Sequence, residues 1–341
     1  FCGVCMRIFV TGGGGFIGSS IILALQNDHE VICFGHGTNY PALKNIFNEN
    51  VQMIDGDIVD KKLVNKHMKD VDTVLHLAGT VSNKKCMEDP FKSTQSNIMW
   101  TRIILTESIK NEIQKFVFSS TQSVYTTYRQ RQMPLIEDMD YEPDDFYGLL
   151  KTISEVEIRD SKINYAILRI ANPYGYGSGL FVTKVGGAIG NFIKAAMEGS
   201  DITLYGTGEQ GIDYVHIDDF SDAVKSIIEN NSLGREIFNI GSGELTKINK
   251  LAQTIIDVSK DFVKTQAKIK TKPAPEGSIW PDRLLSIDKI RKRIGWEPSV
   301  SIEAGVREIF ERTVGWYHEG SIGKTIFPGR GHQENIGWYR N

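Results

Sequence analysis

Cysteine is scarce: the 341 residues carry four, Cys2, Cys5, Cys33 and Cys86. So few thiols in so long a chain make no disulfide framework, and Cys2-x-x-Cys5 has no second pair to complete a metal knuckle, so no metal site is expected. An excess of either charge is also missing. Lys and Arg total 39 against 42 Asp and Glu, a net charge of -3. No broad basic field therefore points to nucleic acid or an anionic membrane as the main partner. No apolar run approaches the ~20 residues of a membrane span, and no charged start leads into an apolar core. Neither a span nor a secretory leader is expected, and cytoplasm is the default location. The five residues before Met6 read as a frayed terminus. There is no internal repeat or low-complexity tract. A hydrophobic content of 40% supports a sizeable core in one large or two moderate domains, with a small molecule as the favoured ligand.

Glycine is well represented, and its most telling cluster lies near the start. Met6-Arg-Ile-Phe-Val10 is a short apolar run. It is followed by Thr11-Gly-Gly-Gly-Gly-Phe-Ile-Gly18 and then by Ile21, Ile22, Leu23 and Leu25 at helical spacing. The pattern reads strand, tight turn, helix. Gly12, Gly15 and Gly18 permit the turn, the approach of backbone to a pyrophosphate and the packing of helix on strand, while the helix N-terminus faces the phosphates. This context supports dinucleotide binding. The second strand, Val31-Ile-Cys-Phe34, is followed by Gly35 and His36 rather than by the Asp or Glu that usually meets the ribose hydroxyls. No arginine follows to hold a 2'-phosphate, so NAD is favoured and NADP stays open; His36 is a candidate donor to the ribose.

Further apolar runs follow at 51–54, 73–77, 116–118, 165–168 and 237–240, mostly separated by helical or polar segments. Such alternation implies an α/β fold of Rossmann type, a doubly wound parallel sheet whose ligands bind at the carboxyl ends of the strands. The dinucleotide-binding domain is expected over 6–172, completed by about 216–243. A smaller mixed α/β lobe over 173–215 and 244–318, where alternation fades, is expected to hold substrate. Residues 319–341 read as an extended tail.

Tyr-x-x-x-Lys occurs twice, at Tyr40 with Lys44 and at Tyr147 with Lys151. Tyr40 precedes Pro41, which disfavours a helical turn there, whereas 146–160 reads as a helix that places Tyr147 and Lys151 on one face. An ammonium beside a phenol favours the phenolate, so the tyrosine is expected to exchange protons near neutral pH, as alcohol oxidation or ketone reduction requires.

Taken in order, Thr11-Gly-x-x-Gly-x-x-Gly18, Asp57-Ile58, His76-Leu-Ala-Gly79, Ser119-Ser-Thr121, Tyr147-x-x-x-Lys151 and Leu168-Arg-x-x-Asn172-Pro-Tyr-Gly175 closely resemble the extended short-chain dehydrogenase/reductases. More narrowly, the chain resembles their nucleotide-sugar epimerase and dehydratase branch, from Met6 to about Tyr317. The resemblance implies Tyr147 as acid/base, Lys151 as its electrostatic partner and ribose ligand, and Thr121 as the hydroxyl that holds the reacting oxygen. It implies a cofactor site of Gly12, Gly15, Phe16, Ile17, Gly18, His36, Asp57, Ile58, Leu77, Ala78, Gly79 and Ser119, with Tyr147 and Lys151. Asn172 and Arg283 would meet the diphosphate of a nucleotide-sugar substrate, a guanidinium fork suiting phosphate oxygens.

Departures from the family pattern narrow the reaction. Ile212 stands where relatives commonly have arginine, which removes one diphosphate or ribose contact. Gln122 and Ser123 follow Thr121 where sugar dehydratases carry an acidic residue, so 4,6-dehydration by the usual route is disfavoured. The expected activity is an NAD-dependent epimerase acting through a transient ketosugar. A net reductase or dehydratase of the same fold and a dinucleotide-sensing binding module are the alternatives. Helices near 91–112 and 146–160 resemble those that pair in family dimers, so a homodimer is expected.

Overall fold

A computed structural model of the chain describes residues 5–36, 40–126, 128–178 and 187–318. The first half runs β1 (Arg7–Thr11), α1 (Phe16–Leu25), β2 (Glu30–Gly35), α2 (Tyr40–Leu43), β3 (Val51–Asp55), α3 (Lys61–His67), β4 (Thr73–His76), α4 (Asn83–Glu88) and α5 (Pro90–Thr94). A π-helical turn (Gln95–Met99) leads into α6 (Trp100–Lys110), then β5 (Lys115–Ser119), α7 (Phe146–Asp160) and β6 (Tyr165–Ile170). The rest comprises β7 (Asn172–Tyr174), α8 (Gly187–Met197), β8 (Ile202–Tyr205), β9 (Gly211–His216), α9 (Ile217–Glu229), β10 (Glu236–Ile240), β11 (Leu245–Lys247), α10 (Ile248–Ser259), β12 (Ile269–Lys272), α11 (Asp288–Ile294) and α12 (Ile302–His318). The tail expected over 319–341 and Cys2 lie outside the described residues.

Seven strands form one sheet in the order β10-β6-β5-β4-β1-β2-β3, with every neighbour parallel. The chain enters at the centre, winds outward through β2 and β3, returns to β4 beside β1, and winds out the other way. The reversal between β1 and β4 opens a crevice at the strands' carboxyl ends, where a ligand meets loops from both halves. Alternation of strand and helix therefore does produce the doubly wound sheet, and the run at 237–240 comes back late in the chain to complete its edge as β10.

Each face of the sheet has its own core. On one, Ile21 and Ile22 of α1 and Phe220, Val224 and Ile227 of α9 are completely buried with Ile8 and Val10 of β1. On the other, Val64, Ile104 and Ile158 bring α3, α6 and α7 against Phe9, Phe116 and Phe118. Burial of such side chains stabilises by about 1.5–3 kcal/mol each. A separate core, including Ile193, Leu204, Leu251, Ile255 and Phe310, lies beneath two small sheets, β11-β9-β7 and β12-β8. One local expectation fails: Tyr40–Leu43 is a short helical turn. A proline is tolerated in the first turn of a helix, where its missing N–H has no partner to lose.

Lys115, in the first position of β5, is buried and spends its ammonium on the far end of α9. Nζ donates to the carbonyls of Ile227 (2.8 Å), Ile228 (3.0 Å) and Asn230 (2.9 Å). The Ile227 and Ile228 carbonyls belong to the last turn of the helix, which lacks intrahelical donors, whereas the Asn230 carbonyl just beyond it also accepts from Leu233 N at 3.2 Å. Lys115→Met keeps the apolar stem but orphans the Ile227 and Ile228 carbonyls, so it should lower stability by about 1–3 kcal/mol in chemical unfolding. An unchanged unfolding midpoint would show that water replaces the ammonium without loss.

Candidate active site

The crevice widens into a cavity of about 1790 Å3, larger than the roughly 300–1,000 Å3 of an ordinary small-ligand pocket. It has room for two extended ligands end to end. Every candidate cofactor, catalytic and substrate residue lines it: Gly12, Gly15, Phe16, Ile17, Gly18, His36, Asp57 and Ile58 at one end; Leu77, Ala78 and Gly79 in the middle; Ser119, Thr121, Tyr147 and Lys151 beyond them; Asn172 and Arg283 towards the small lobe.

The glycine loop is shaped for something to lie against it. Gly12 has φ +73°, and a side-chain carbon there would come within 2.8 Å of Ala78 N; one on Gly18 would come within 2.4 Å of the Gly12 carbonyl oxygen. Close packing of loop, helix and β4 thus requires glycine at both positions. Gly15 caps α1 without a side-chain hydrogen bond, and the first turn holds no acidic residue. Its leading amides and the positive end of the helix therefore face the cavity, the arrangement that binds a phosphate.

The floor beneath is held by a buried histidine. His76 Nδ1 is 2.7 Å from Thr11 Oγ1 and its Nε2 is 3.0 Å from Thr101 Oγ1, so the ring joins β1, β4 and α6. Burial, with the Lys151 cation adding to it, pulls its pKa down to about 3, and the ring stays neutral.

Helix α7 delivers the central pair. Asp145 caps it, accepting from Gly148 N at 2.6 Å, and Asn83 Oδ1 accepts from Phe146 N at 3.1 Å. Gly148 lets the helix press onto the preceding turn: a side-chain carbon there would lie 2.4 Å from the Ser123 carbonyl oxygen. Tyr147 is thereby carried to the Thr121 side chain, while Thr121 Oγ1 accepts from Ser123 N at 3.2 Å. One turn on, Lys151 is buried. Its Nζ donates to the Ser119 carbonyl at 2.8 Å and sits 4.7 Å from the Phe118 ring centroid.

The electrostatics correct one expectation. Tyr147 is a half-buried residue whose hydroxyl is enclosed, and burial pushes the phenol above its ordinary range; Cys86 and Asp145 add to that, while the Thr121 hydroxyl opposes it. The expected lowering by Lys151 is overridden because the ammonium is turned to Ser119 rather than to the phenol. Burial also draws Lys151 itself down to about 8, with Cys86 and Glu155 opposing. Cys86, buried, has its thiol raised by burial as well. The site is thus a place where proton positions respond to what enters it.

At the lobe end, Arg283 and Ile212 form an isolated parallel bridge, with Arg283 N donating to Gly211 O and its carbonyl accepting from Asp213 N, both at 3.1 Å. Its Nε is buried without a hydrogen-bond partner, and burial lowers its pKa. An enclosed guanidinium with an open donor suits an anion. Asn172 spends its Nδ2 on the Asp213 carbonyl at 3.0 Å, so its amide is committed to β9.

Two features at or behind the cavity wall are harder to see in the sequence. Asn97 lies in the π-helical turn, where Nδ2 donates to the carbonyls of Thr80 (3.1 Å) and Ser93 (3.0 Å) while Oδ1 is buried without a partner. A side-chain carbon on Gly79 would lie 2.7 Å from that oxygen and 3.8 Å from Lys151 Nζ, so both lie close to Gly79. Gln122, also buried, likewise has an unpartnered Oε1. An Asn inside a helical pattern, between Ser93 and Thr101, is the signal that could have marked the first; nothing distinguished the second beyond its place after Thr121.

His76 sets a pH dependence. It is neutral in the fold down to about 3 but takes a proton near 6.5 once unfolded, so the unfolded chain binds more protons across that window and stability falls as pH drops through it. His76→Asn should flatten that part of the dependence of urea midpoints on pH; the same slope in the variant would assign the loss to other groups.

Residues 8–241 match the profile of the NAD dependent epimerase/dehydratase family. A curated relative in Methanocaldococcus jannaschii, described as a putative UDP-glucose 4-epimerase, is 31% identical over 91% of this chain and 97% of its own length. UDP-N-acetyl-alpha-D-glucosaminuronate decarboxylase of Bacillus cytotoxicus is 28% identical over 92% and 98%. Among solved structures, UDP-glucuronic acid 4-epimerase from Bacillus cereus, in complex with UDP-glucuronic acid and NAD, superposes with a TM-score of 0.77 at 25% identity, covering 92% of this chain and all of that one.

Proposed function

The chain belongs to the NAD dependent epimerase/dehydratase family, and from that premise we propose that it is an NAD-dependent UDP-sugar 4-epimerase. It is an enzyme that modifies sugar nucleotides; the finer reading is the inversion of one carbon through a transient ketosugar. The observation that carries it is the convergence of Thr121, Tyr147 and Lys151 on one wall of a cavity that runs from the glycine loop to Arg283.

The residues present suit NAD: Gly12 and Gly18 leave no room for side chains in the turn, and the amides of α1 lack a side-chain cap. Gly12, Gly15, Phe16, Ile17 and Gly18 would hold the diphosphate, His36 the ribose, Asp57 and Ile58 the adenine, Leu77, Ala78 and Gly79 the middle, and Ser119, Tyr147 and Lys151 the nicotinamide end. When bound, NAD supplies hydride acceptance and return at the sugar carbon. The protein's part is position and proton. Thr121 Oγ1 orients the C4 hydroxyl, and Tyr147 Oη takes its proton and later gives it back. The Lys151 ammonium, one turn on and held on the Ser119 carbonyl, would meet the nicotinamide ribose. Arg283, with Asn172 nearby on β7, takes the UDP diphosphate. Gln122 and Ser123 offer no carboxylic acid to expel a hydroxyl, which argues for inversion over dehydration.

Beyond the site, we propose the division into a dinucleotide-binding domain (6–172 with 216–243) and a substrate lobe (173–215 with 244–318). We also propose a homodimer. Phe91, Met99 and Ile109 beside Leu149 and Val156 put exposed apolar side chains on α5, the π-helical turn, α6 and α7, Phe91 being 83% accessible, and an ion pair between Arg102 and Glu157 joins α6 to α7. Such a face suits an isologous helix bundle. Among the described residues, no helix is long and apolar enough to cross a membrane.

Tyr147→Phe should lower epimer formation from UDP-glucose, UDP-N-acetylglucosamine or UDP-glucuronic acid by about 10²–10⁴-fold, followed by NMR of the sugar product. Unchanged turnover would remove Tyr147 from the chemistry. Wild-type turnover should leave the nicotinamide absorbance without net change; a stoichiometric change would make the protein a net reductase or dehydrogenase. Light scattering should return twice the chain mass, and a monomer would overturn the dimer.

A further inference from the structure

Behind the site, on the side of α7 that faces the sheet, lies a buried charge pair that the proposed reaction does not use. Tyr147, Lys151 and Glu155 follow at intervals of four and share one face of the helix. Glu155 is completely buried and Arg169, on β6, is 1% accessible. Arg169 donates to Glu155 from Nε (3.3 and 3.2 Å to the two oxygens) and from Nη2 (2.9 Å), and from Nη1 to the Glu137 carbonyl at 3.0 Å. Its guanidinium lies between the rings of Tyr125 and Tyr141, at 4.8 and 4.9 Å. Although burial works against its charge, Glu155 and Tyr125 hold Arg169 firmly protonated.

What the carboxylate does with its remaining capacity is the informative part. It accepts from the Tyr141 hydroxyl at 2.8 Å and from the Ser120 hydroxyl. Ser120 is the residue between Ser119, whose carbonyl takes the Lys151 ammonium, and Thr121, whose hydroxyl meets Tyr147. One carboxylate therefore ties the helix carrying Tyr147 and Lys151 to the turn carrying their two partners. A buried ion pair is a poor source of stability by itself, since desolvation consumes much of the attraction, and an apolar pair of similar size often serves as well. Its cost is explained if it fixes geometry.

We propose that Glu155, charged and oriented by Arg169, is a positioning residue for the proposed 4-epimerase chemistry: through Ser120 it sets the Ser119 carbonyl and the Thr121 hydroxyl against Lys151 and Tyr147. The inference rests on the functional reading above. Glu155 also acts through space, because its negative charge raises the Lys151 pKa against the lowering by burial.

The test uses the full chain and two variants. Ser120→Ala removes the link and leaves the ion pair whole; Glu155→Gln combined with Arg169→Met removes both charges, so that no buried charge is left unpaired. Ser120→Ala is expected to melt within a few degrees of wild type, with kcat for UDP-sugar epimerisation at least tenfold lower and KM within threefold. The double variant is expected to fold, with kcat equally or more reduced, and with the Lys151 ammonium titrating at distinctly lower pH by NMR of carbon-labelled lysine, its signal assigned by Lys151→Arg. A pair that only supports the fold would show lowered melting temperatures with kcat and the Lys151 titration unchanged, and would overturn the proposal. The lysine titration needs no substrate. If wild type epimerises no sugar tested, the functional reading fails, while an unmoved titration counts against Glu155 alone.

Discussion

The site depends on where one ammonium goes. Lys151 projects from α7 onto the carbonyl of Ser119 at the carboxyl end of β5, a buried cation on a neutral acceptor. That hydrogen bond docks the helix on the strand at the point where Tyr147, one turn earlier, reaches Thr121. Burial would drive such a charge out unless its partners were good. Here the Ser119 carbonyl, the face of Phe118 and the field of Glu155 supply them, and the result is a lysine whose proton is held less firmly than usual. The same enclosure raises the Tyr147 phenol. A phenol pushed up and an ammonium pulled down have moved apart, so of the two the tyrosine holds its proton the more firmly and the lysine the less.

Around that docking, glycine and histidine solve complementary problems. Gly12 and Gly18 let the first loop close on β4 and leave its amides to the cavity, where a Cβ would collide with backbone. His76, between two threonines, fills the space beneath with a neutral polar core that fixes β1, β4 and α6 relative to one another. The open guanidinium of Arg283 stands at the far end. Groups suited to phosphate, uncapped helix amides and a guanidinium, therefore stand at the two ends of a long cavity, with Thr121, Tyr147 and Lys151 between them.

Much of this is legible in the sequence, for identifiable reasons. The parallel sheet announces itself because each buried strand is a short apolar run and each crossover is long. The glycine loop and the Tyr147/Lys151 pair are legible because their chemistry needs residues at fixed spacing. What escapes is whatever depends on tertiary direction. The sequence cannot say that Lys151 turns to Ser119 rather than to the phenol, so the sign of the Tyr147 shift is misjudged. Asn97 is hidden because a π-helical turn leaves the helical pattern intact, and Glu155 because a carboxylate on an amphipathic helix reads as solvated until Arg169 is found opposite it. The short turn at Tyr40–Leu43 is missed because Pro41 suggests a break where it starts a helix.

The central claim is that Thr121, Tyr147 and Lys151 gather around one hydroxyl of a sugar whose diphosphate lies towards Arg283. A crystal structure of the chain carrying NAD and a UDP-sugar tests this most directly. The account predicts the sugar C4 oxygen within hydrogen-bond reach, about 2.6–3.2 Å, of both Thr121 Oγ1 and Tyr147 Oη, with the diphosphate on the Arg283 guanidinium. A UDP-sugar bound with its diphosphate elsewhere, or with its ring remote from Tyr147, would contradict it.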